Sequence, residues 1–232
     1  MNSSPSAAAP ETRRENRLRE RAEFIDAILK LCSENRGARV DLRSGAGKPL
    51  EDCARMHRYV AWRIPARLQA RADTRFWREE EHAWYAVAAL IASRPPGARD
   101  LDLDADTESA PAAEAESSAP PAAEAPRRQR PVGDLGASLA AMVNARGLAP
   151  ASAEAILHRL TRQRFELVNQ RLPQLIRSIL QAGQRVNWQT LLDDLSRWDL
   201  DRRQIAATWM QSYYRRLNRS GDETTGHNGS PS

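Results

Sequence analysis

Apolar residues in this 232-residue chain recur at steps of three and four, and nowhere alternate with period two for long enough to form a strand. That pattern restricts the chain to helices. Leu18, Ala22, Ile25, Ile28, Leu29 and Cys32 fall on one face of a first helix, and Cys53, Met56 and Val60 line the inner face of a second over Leu50 to Trp62. A third starts near Phe76 and ends at Arg94, with Trp77, Glu80, Trp84, Val87, Ala88 and Ile91 on its stripe. Pro95 and Pro96 stop it, because proline disfavours a helical residue before it and lacks the bonding N–H.

The later part of the chain has the same grammar. Leu135, Leu139, Met142 and Val143 mark a helix stopped at Gly147, and Ser152 is placed to cap the next, which carries Ile156, Leu157 and Leu160. Pro173 suits a first turn, and Gly183 the C-terminal stop, of a helix with Leu175, Ile176, Ile179 and Leu180 inward. Asn187 caps a helix bearing Trp188, Leu191, Leu192, Leu195 and Trp198. Asp201 opens the last one, where Ile205, Trp209 and Tyr213 fall four residues apart.

Between these two parts the composition changes. Residues 97–131 form an acidic Ala/Pro/Glu run with too little apolar surface to offset the entropy of ordering it. The expected fold is therefore all-α: two small helical bundles, 11–96 and 132–218, joined by a long disordered linker. Residues 1–10 and 219–232, rich in small and polar residues, are expected to be disordered ends.

Charge follows the same division. The net charge is +5, yet Asp100, Asp102, Asp104, Asp106, Glu108, Glu114, Glu116 and Glu124 stand together with no Lys or Arg among them. The rest of the chain therefore carries about +13. Nearly all of it is arginine, since Lys30 and Lys48 are the only lysines. Guanidinium groups pair with phosphate in a fork and stack on bases, so this bias favours a nucleic-acid partner.

Other classes find little support. No stretch approaches the ~18 apolar residues of a membrane span, and the N-terminus has no apolar h-region, so the chain is expected in the cytoplasm. Cys32 and Cys53 lack metal-ligand spacing and suit buried free thiols in a reducing compartment. Glu79 and His82 make an E-x-x-H pair, half of a di-iron helix-bundle site, but Glu154 and His158 are four apart and no second such pair exists. His82 is better placed as a boundary residue beside Trp77 and Trp84. Gly45-Ala46-Gly47-Lys48 resembles the end of a phosphate-binding loop without its first glycine, its Ser/Thr or its strand, and is expected to be a turn. Glu79, Glu80, Glu81, Asp193 and Asp194 suit solvated faces or arginine partners. No catalytic residue, metal ligand or cofactor is expected.

The arginines carry more. Arg36, Arg39 and Arg43 step by three and four along one short helix. Arg67, Arg71, Arg75 and Arg78 make a second stripe if a helix begun near Pro65 runs through them. Arg159 and Arg162 lie opposite the Ile156/Leu160 face, with Arg164 close by. Each set could track phosphates without reading sequence, or meet acidic surfaces of protein partners. Trp77, Trp84, Trp188, Trp198 and Trp209 fall on apolar stripes and are expected in the core; Trp62 has no clear place.

Four segments, in order, resemble one family. LCSENRGARVDLR (31–43), WREEEHAWYAVAALIASRPP (77–96), GDLGASLAAMV (133–143) and VNWQTLLDDLSRWDLDRRQIAATWMQSYYR (186–215) are similar to blocks of the CasB family, the small subunit of the type I-E CRISPR Cascade complex. The resemblance implies a non-catalytic subunit, present as a pair of copies, that bridges the crRNA-bearing backbone and the large subunit. It would steady target and displaced DNA strands in the R-loop while base pairing supplies specificity. It places the nucleic-acid contacts at Arg39, Arg43, Arg162 and Arg164, with Arg36, Arg159 and Arg177 behind them. The chain departs from the family in its long acidic linker and in TRQRFELVNQRL (161–172), where an Arg-Ala-Asp-Arg pattern is usual. The alternative is a helical adaptor whose arginine faces bind proteins.

Overall fold

The computed structural model describes residues 10–69, 75–95 and 133–225. The acidic segment falls outside them, as do the side chains of Arg71, Arg75 and Trp77. The described residues are helices and turns, with no strand among them. α1 (Pro10–Glu34) leads into α2 (Arg36–Arg43), and two 3₁₀ turns (Leu50–Asp52 and Ala54–Met56) precede the short α3 (His57–Val60) and α4 (Ala66–Gln69). α5 (Arg75–Ala92) closes the first part. The second comprises α6 (Leu135–Asn144), α7 (Pro150–Thr161), α8 (Phe165–Gln181), α9 (Trp188–Ser196) and α10 (Trp198–Thr225).

α5 is the central element. From His82 to Ala92 every side chain is buried, the condition of a helix that is apolar all round. Its alanines admit neighbours from several sides: α1 and α2 pack on it from the first part, α8 and α9 from the second. Phe24 of α1 meets Trp84 edge to face at 4.8 Å between centroids. α6 packs along α10, and α7 closes on both. One hydrophobic cluster runs through the two parts.

Local signals explain most helix ends. Asn35 ends α1 and caps α2 by accepting from the Ala38 N–H at 2.8 Å, while Asp134 and Asn187 cap α6 and α9 in the same way. Gly183, at φ +72°, ends α8 as expected. Three expectations are corrected. α7 starts at Pro150 with Ala149 as its cap, so Ser152 lies within the first turn and not before it. Pro173 sits inside α8, whose first turn is at Phe165. Leu50 to Trp62 is not one helix: Leu50, Cys53 and Met56 are three apart, the 3₁₀ period, and only from Met56 does the inward step become four, through Val60, Ile64 and Leu68. The tail is shorter in helix-free residues than expected, since α10 continues past Arg219 to Thr225. Asp201 keeps its place as a junction, a non-helical residue near the start of α10.

Four of the expected core tryptophans (Trp84, Trp188, Trp198 and Trp209) are buried, and Trp62 is 67% exposed. Both cysteines are buried and free, and burial pushes both thiols upward. Among the described residues no helix is long and apolar enough to cross a membrane.

Candidate nucleic-acid interface

The arginines divide by whether a carboxylate holds them. Arg67 reaches Glu80 at 2.8 Å and Glu20 at 3.3 Å; Arg78 reaches Glu51 at 2.9 Å. Arg58 pairs with Asp41, and buried Arg21 pairs with Asp193, which also takes Arg197 at 2.8 Å. The Arg67–Arg78 stripe is thus engaged internally at both of the ends that are described. Glu80 and Asp193 are arginine partners, as expected. Asp194 is not a solvated residue: it is buried, and its Oδ2 accepts the Trp209 indole N–H at 2.7 Å.

A second group gathers on and around α2. Arg36, Arg39 and Arg43 share one face of α2, because Ala38 and Leu42 turn the other face into the core. That face borders an open cavity of about 470 Å³ whose far walls are Ser93, Arg94 and Pro95 after α5, and Arg177 and Gln181 of α8. Five guanidinium groups from three elements therefore surround one groove. Arg36, Arg43 and Arg177 are exposed and have no ion pair among the described residues. Cations gathered around one groove repel one another, and the repulsion is relieved by a polyanion.

Arg39 and Arg94 shape the groove. Arg39 donates from Nε to the Ala92 carbonyl at 3.1 Å and from Nη2 to the Arg94 carbonyl at 2.8 Å. A cation there satisfies carbonyls left open at the C-terminus of α5 and complements the helix dipole. Arg94 is itself buried and donates Nε to the Ile91 carbonyl at 3.0 Å. Arg39 is thus a tether between α2 and α5 as well as a charge. Arg39→Ala is expected to lower stability by about 1–2 kcal/mol in urea denaturation, and Arg39→Lys to recover only part, since one ammonium cannot span both carbonyls. An unchanged midpoint in Arg39→Ala would show the tether to be idle.

Arg159, Arg162 and Arg164 lie elsewhere, on the last turn of α7 and the bend into α8. All three are exposed, and none lines the groove. No ion pair holds them among the described residues. Arg94 was not expected from sequence, although a basic residue immediately before Pro95-Pro96 was a usable signal.

The histidine of the E-x-x-H pair has a structural role. His82 is buried, with Nε2 2.9 Å from the Lys48 carbonyl and 3.2 Å from Asn169 Nδ2. Asn169 also donates to the Lys48 carbonyl at 3.0 Å. Burial holds the imidazole below its ordinary value. The Gly45–Lys48 segment is a turn packed on α8: Gly47, at φ +74°, lies against the Gln170 backbone. Among the described residues no three His, Cys, Asp or Glu side chains gather as metal ligands.

The family described as CRISPR-associated protein Cse2 matches residues 38–214. A search of curated protein sequences finds no significant match. Two chains solved as a CRISPR RNA-guided surveillance complex and as a CRISPR RNA-guided surveillance complex in a pre-nicking state share 28% and 29% identity with this chain. They superpose with TM-scores of 0.67 and 0.69, covering 90% and 89% of this chain and 99% and 98% of their own. M. ruber CasB, at 21% identity and a TM-score of 0.61 over 89% of this chain and 98% of its own, shares the fold.

Proposed function

The chain belongs to the Cse2 (CasB) family, and from that premise we propose that it is a non-catalytic subunit of a type I-E Cascade complex that holds nucleic acid by arginine–phosphate contacts. It bridges the backbone and the large subunit, with a second copy of itself beside it, and stabilises target and displaced strands of the R-loop in antiviral defence. Sequence is read by guide pairing, so the protein needs only charge and shape. The groove walled by α2, α5 and α8 supports this reading best: its exposed arginines are the ones carboxylates leave alone. Arg159, Arg162 and Arg164 are the second contact.

Arg36→Ala, Arg43→Ala and Arg177→Ala combined are the test, because these side chains hold nothing else among the described residues. Retention of target DNA by the assembled complex is expected to weaken, and the log–log slope of affinity against salt to become shallower by about 2–3. Assembly itself should be intact. Loss of assembly with unchanged DNA retention by the remaining particle would instead favour the adaptor reading, in which the groove meets an acidic protein surface.

A further inference from the structure

The turn that follows α3 carries a second kind of site. Residues 54–63 continue from a 3₁₀ turn through α3 into a bonded turn, with the Ala61 N–H on the His57 carbonyl and the Arg63 N–H on the Val60 carbonyl. Met56, Val60 and Ile64 turn inward. Arg55, Arg58 and Trp62, at steps of three and four, occupy the opposite face, and all three are exposed. Trp62 is 67% exposed, whereas the other tryptophans with described side chains are no more than 7% exposed. Nothing in the core explains an indole there.

Trp62 is nonetheless held. Its Nε1–H donates to the Arg58 carbonyl at 3.1 Å. The Arg63 guanidinium lies 3.8 Å from the ring centroid and is anchored in turn by donating to the Tyr59 carbonyl. One face of the indole is thus backed by a cation while much of the ring remains open, so little side-chain entropy is left to lose on stacking. The surroundings are cationic and not apolar: none of the other large exposed apolar residues lies on this turn. A protein interface would bury the indole together with an apolar core, which this turn does not supply; an aromatic interleaved with arginines matches a single-strand platform.

The platform is also separate from the groove. Asp41, which takes Arg58 and the Tyr59 hydroxyl, stands about 150° around α2 from the Arg36/Arg39/Arg43 face at 100° per residue. The turn therefore abuts the other flank of α2.

We propose that Trp62 stacks an unpaired nucleobase of single-stranded nucleic acid, with Arg55 meeting a flanking phosphate while Arg58, held by Asp41, supports the platform. This inference rests on the proposed nucleic-acid function and adds to it a contact with bases that still reads no sequence.

Fluorescence anisotropy at low salt, with a labelled single-stranded DNA oligomer and the same oligomer made abasic, tests it in the full-length protein. Wild type is expected to prefer the base-bearing oligomer by about 5- to 150-fold, the usual range for one aromatic stack. Trp62→Ala should erase that preference while leaving abasic binding unchanged, and Trp62→Phe should keep part of it. The Arg36/Arg43/Arg177 alanine variant should weaken both oligomers alike. Equal wild-type affinity for the two oligomers would overturn the stacking proposal and leave the groove reading standing. No binding of either would remove both. A Trp62→Ala protein that keeps the preference but no longer joins its partner subunits would make the indole a protein contact instead.

Discussion

Gly136→Ala is expected to lower the melting temperature by about 6–12 °C or more, a net loss of about 3 kcal/mol. The same change inside an ordinary helix stabilises, because alanine loses less backbone freedom on folding, by about 0.5–1 kcal/mol. Here the sign reverses. A Cβ at position 136 would lie 1.9 Å from the Trp209 carbonyl oxygen, 2.7 Å from its carbon and 2.9 Å from its Cα. These are backbone atoms of α10, so no side chain can turn aside, and α6 must move away from the helix it packs along. That movement would also strain the Ser212 hydroxyl bond to Asp134, 2.7 Å long, and the Ser138 hydroxyl bond to the Arg185 carbonyl, 3.0 Å long. Thermal denaturation followed by circular dichroism decides it: a melting temperature equal to or above wild type would mean the helices separate cheaply. The Leu-Gly-x-Ser-Leu element at 135–139, which carried part of the family resemblance, thus has a physical reading. Gly136 allows the close approach, Ser138 ties α6 to the loop before α9, and Leu135 and Leu139 fill the core.

What could be read in advance were the features set by neighbours in sequence. The periodicity of α5, its stop before Pro95, the Asn187 cap and the Ile205/Trp209/Tyr213 stripe are each decided within a few residues. So is the shared face of Arg36, Arg39 and Arg43, since helical spacing alone places them together. The proline at 173 misled because first-turn preference is strong, whereas packing tolerates it inside α8. The stretch after Pro49 misled because inward residues three apart also approximate an α-helical stripe. The distinction lies in whether the step is three or four, and Leu50-Cys53-Met56 changes to four only at Val60. Longer-range facts left no trace in spacing. Nothing local says that Arg177 comes beside α2, that Glu20 and Glu80 claim Arg67, or that Arg39 closes the carbonyls of α5. The groove is a tertiary object: the sequence supplied its cations, and the docking of α2, α5 and α8 selects which of them stay unpaired.

Asp194 makes stability depend on pH in the direction opposite to that of most carboxylates. Burial pushes it up to about 7; Asp193 and Asp134 push the same way, while the Trp209 indole N–H and Arg197 oppose them. A carboxyl raised in the folded state binds more protons there than in the unfolded chain. Its contribution is therefore fully present below the unfolded value near 3.8 and is lost as pH rises to about 7. The span corresponds to a ceiling on the order of 4 kcal/mol, of which about 2–3 is expected after protein relaxation. His82, held low by burial, works the other way, since stability rises as its unfolded form loses its proton. Wild type alone would blur the two, so the comparison with Asp194→Asn isolates the carboxyl. The amide oxygen can still accept from Trp209 but carries no charge. Urea denaturation at about pH 5 and about pH 8 should show wild type losing more stability on the alkaline side than the variant, and the variant should be the more stable of the two at pH 8. Identical pH profiles would mean that Asp194 is solvated enough to ionise freely. Trp209→Phe gives the complementary result. Without the indole donor the carboxylate is buried with one fewer hydrogen bond, so the alkaline loss should grow and Asp194→Asn should rescue it. A structural tryptophan acting by packing alone would be destabilised equally at both pH values, and the asparagine would bring no rescue.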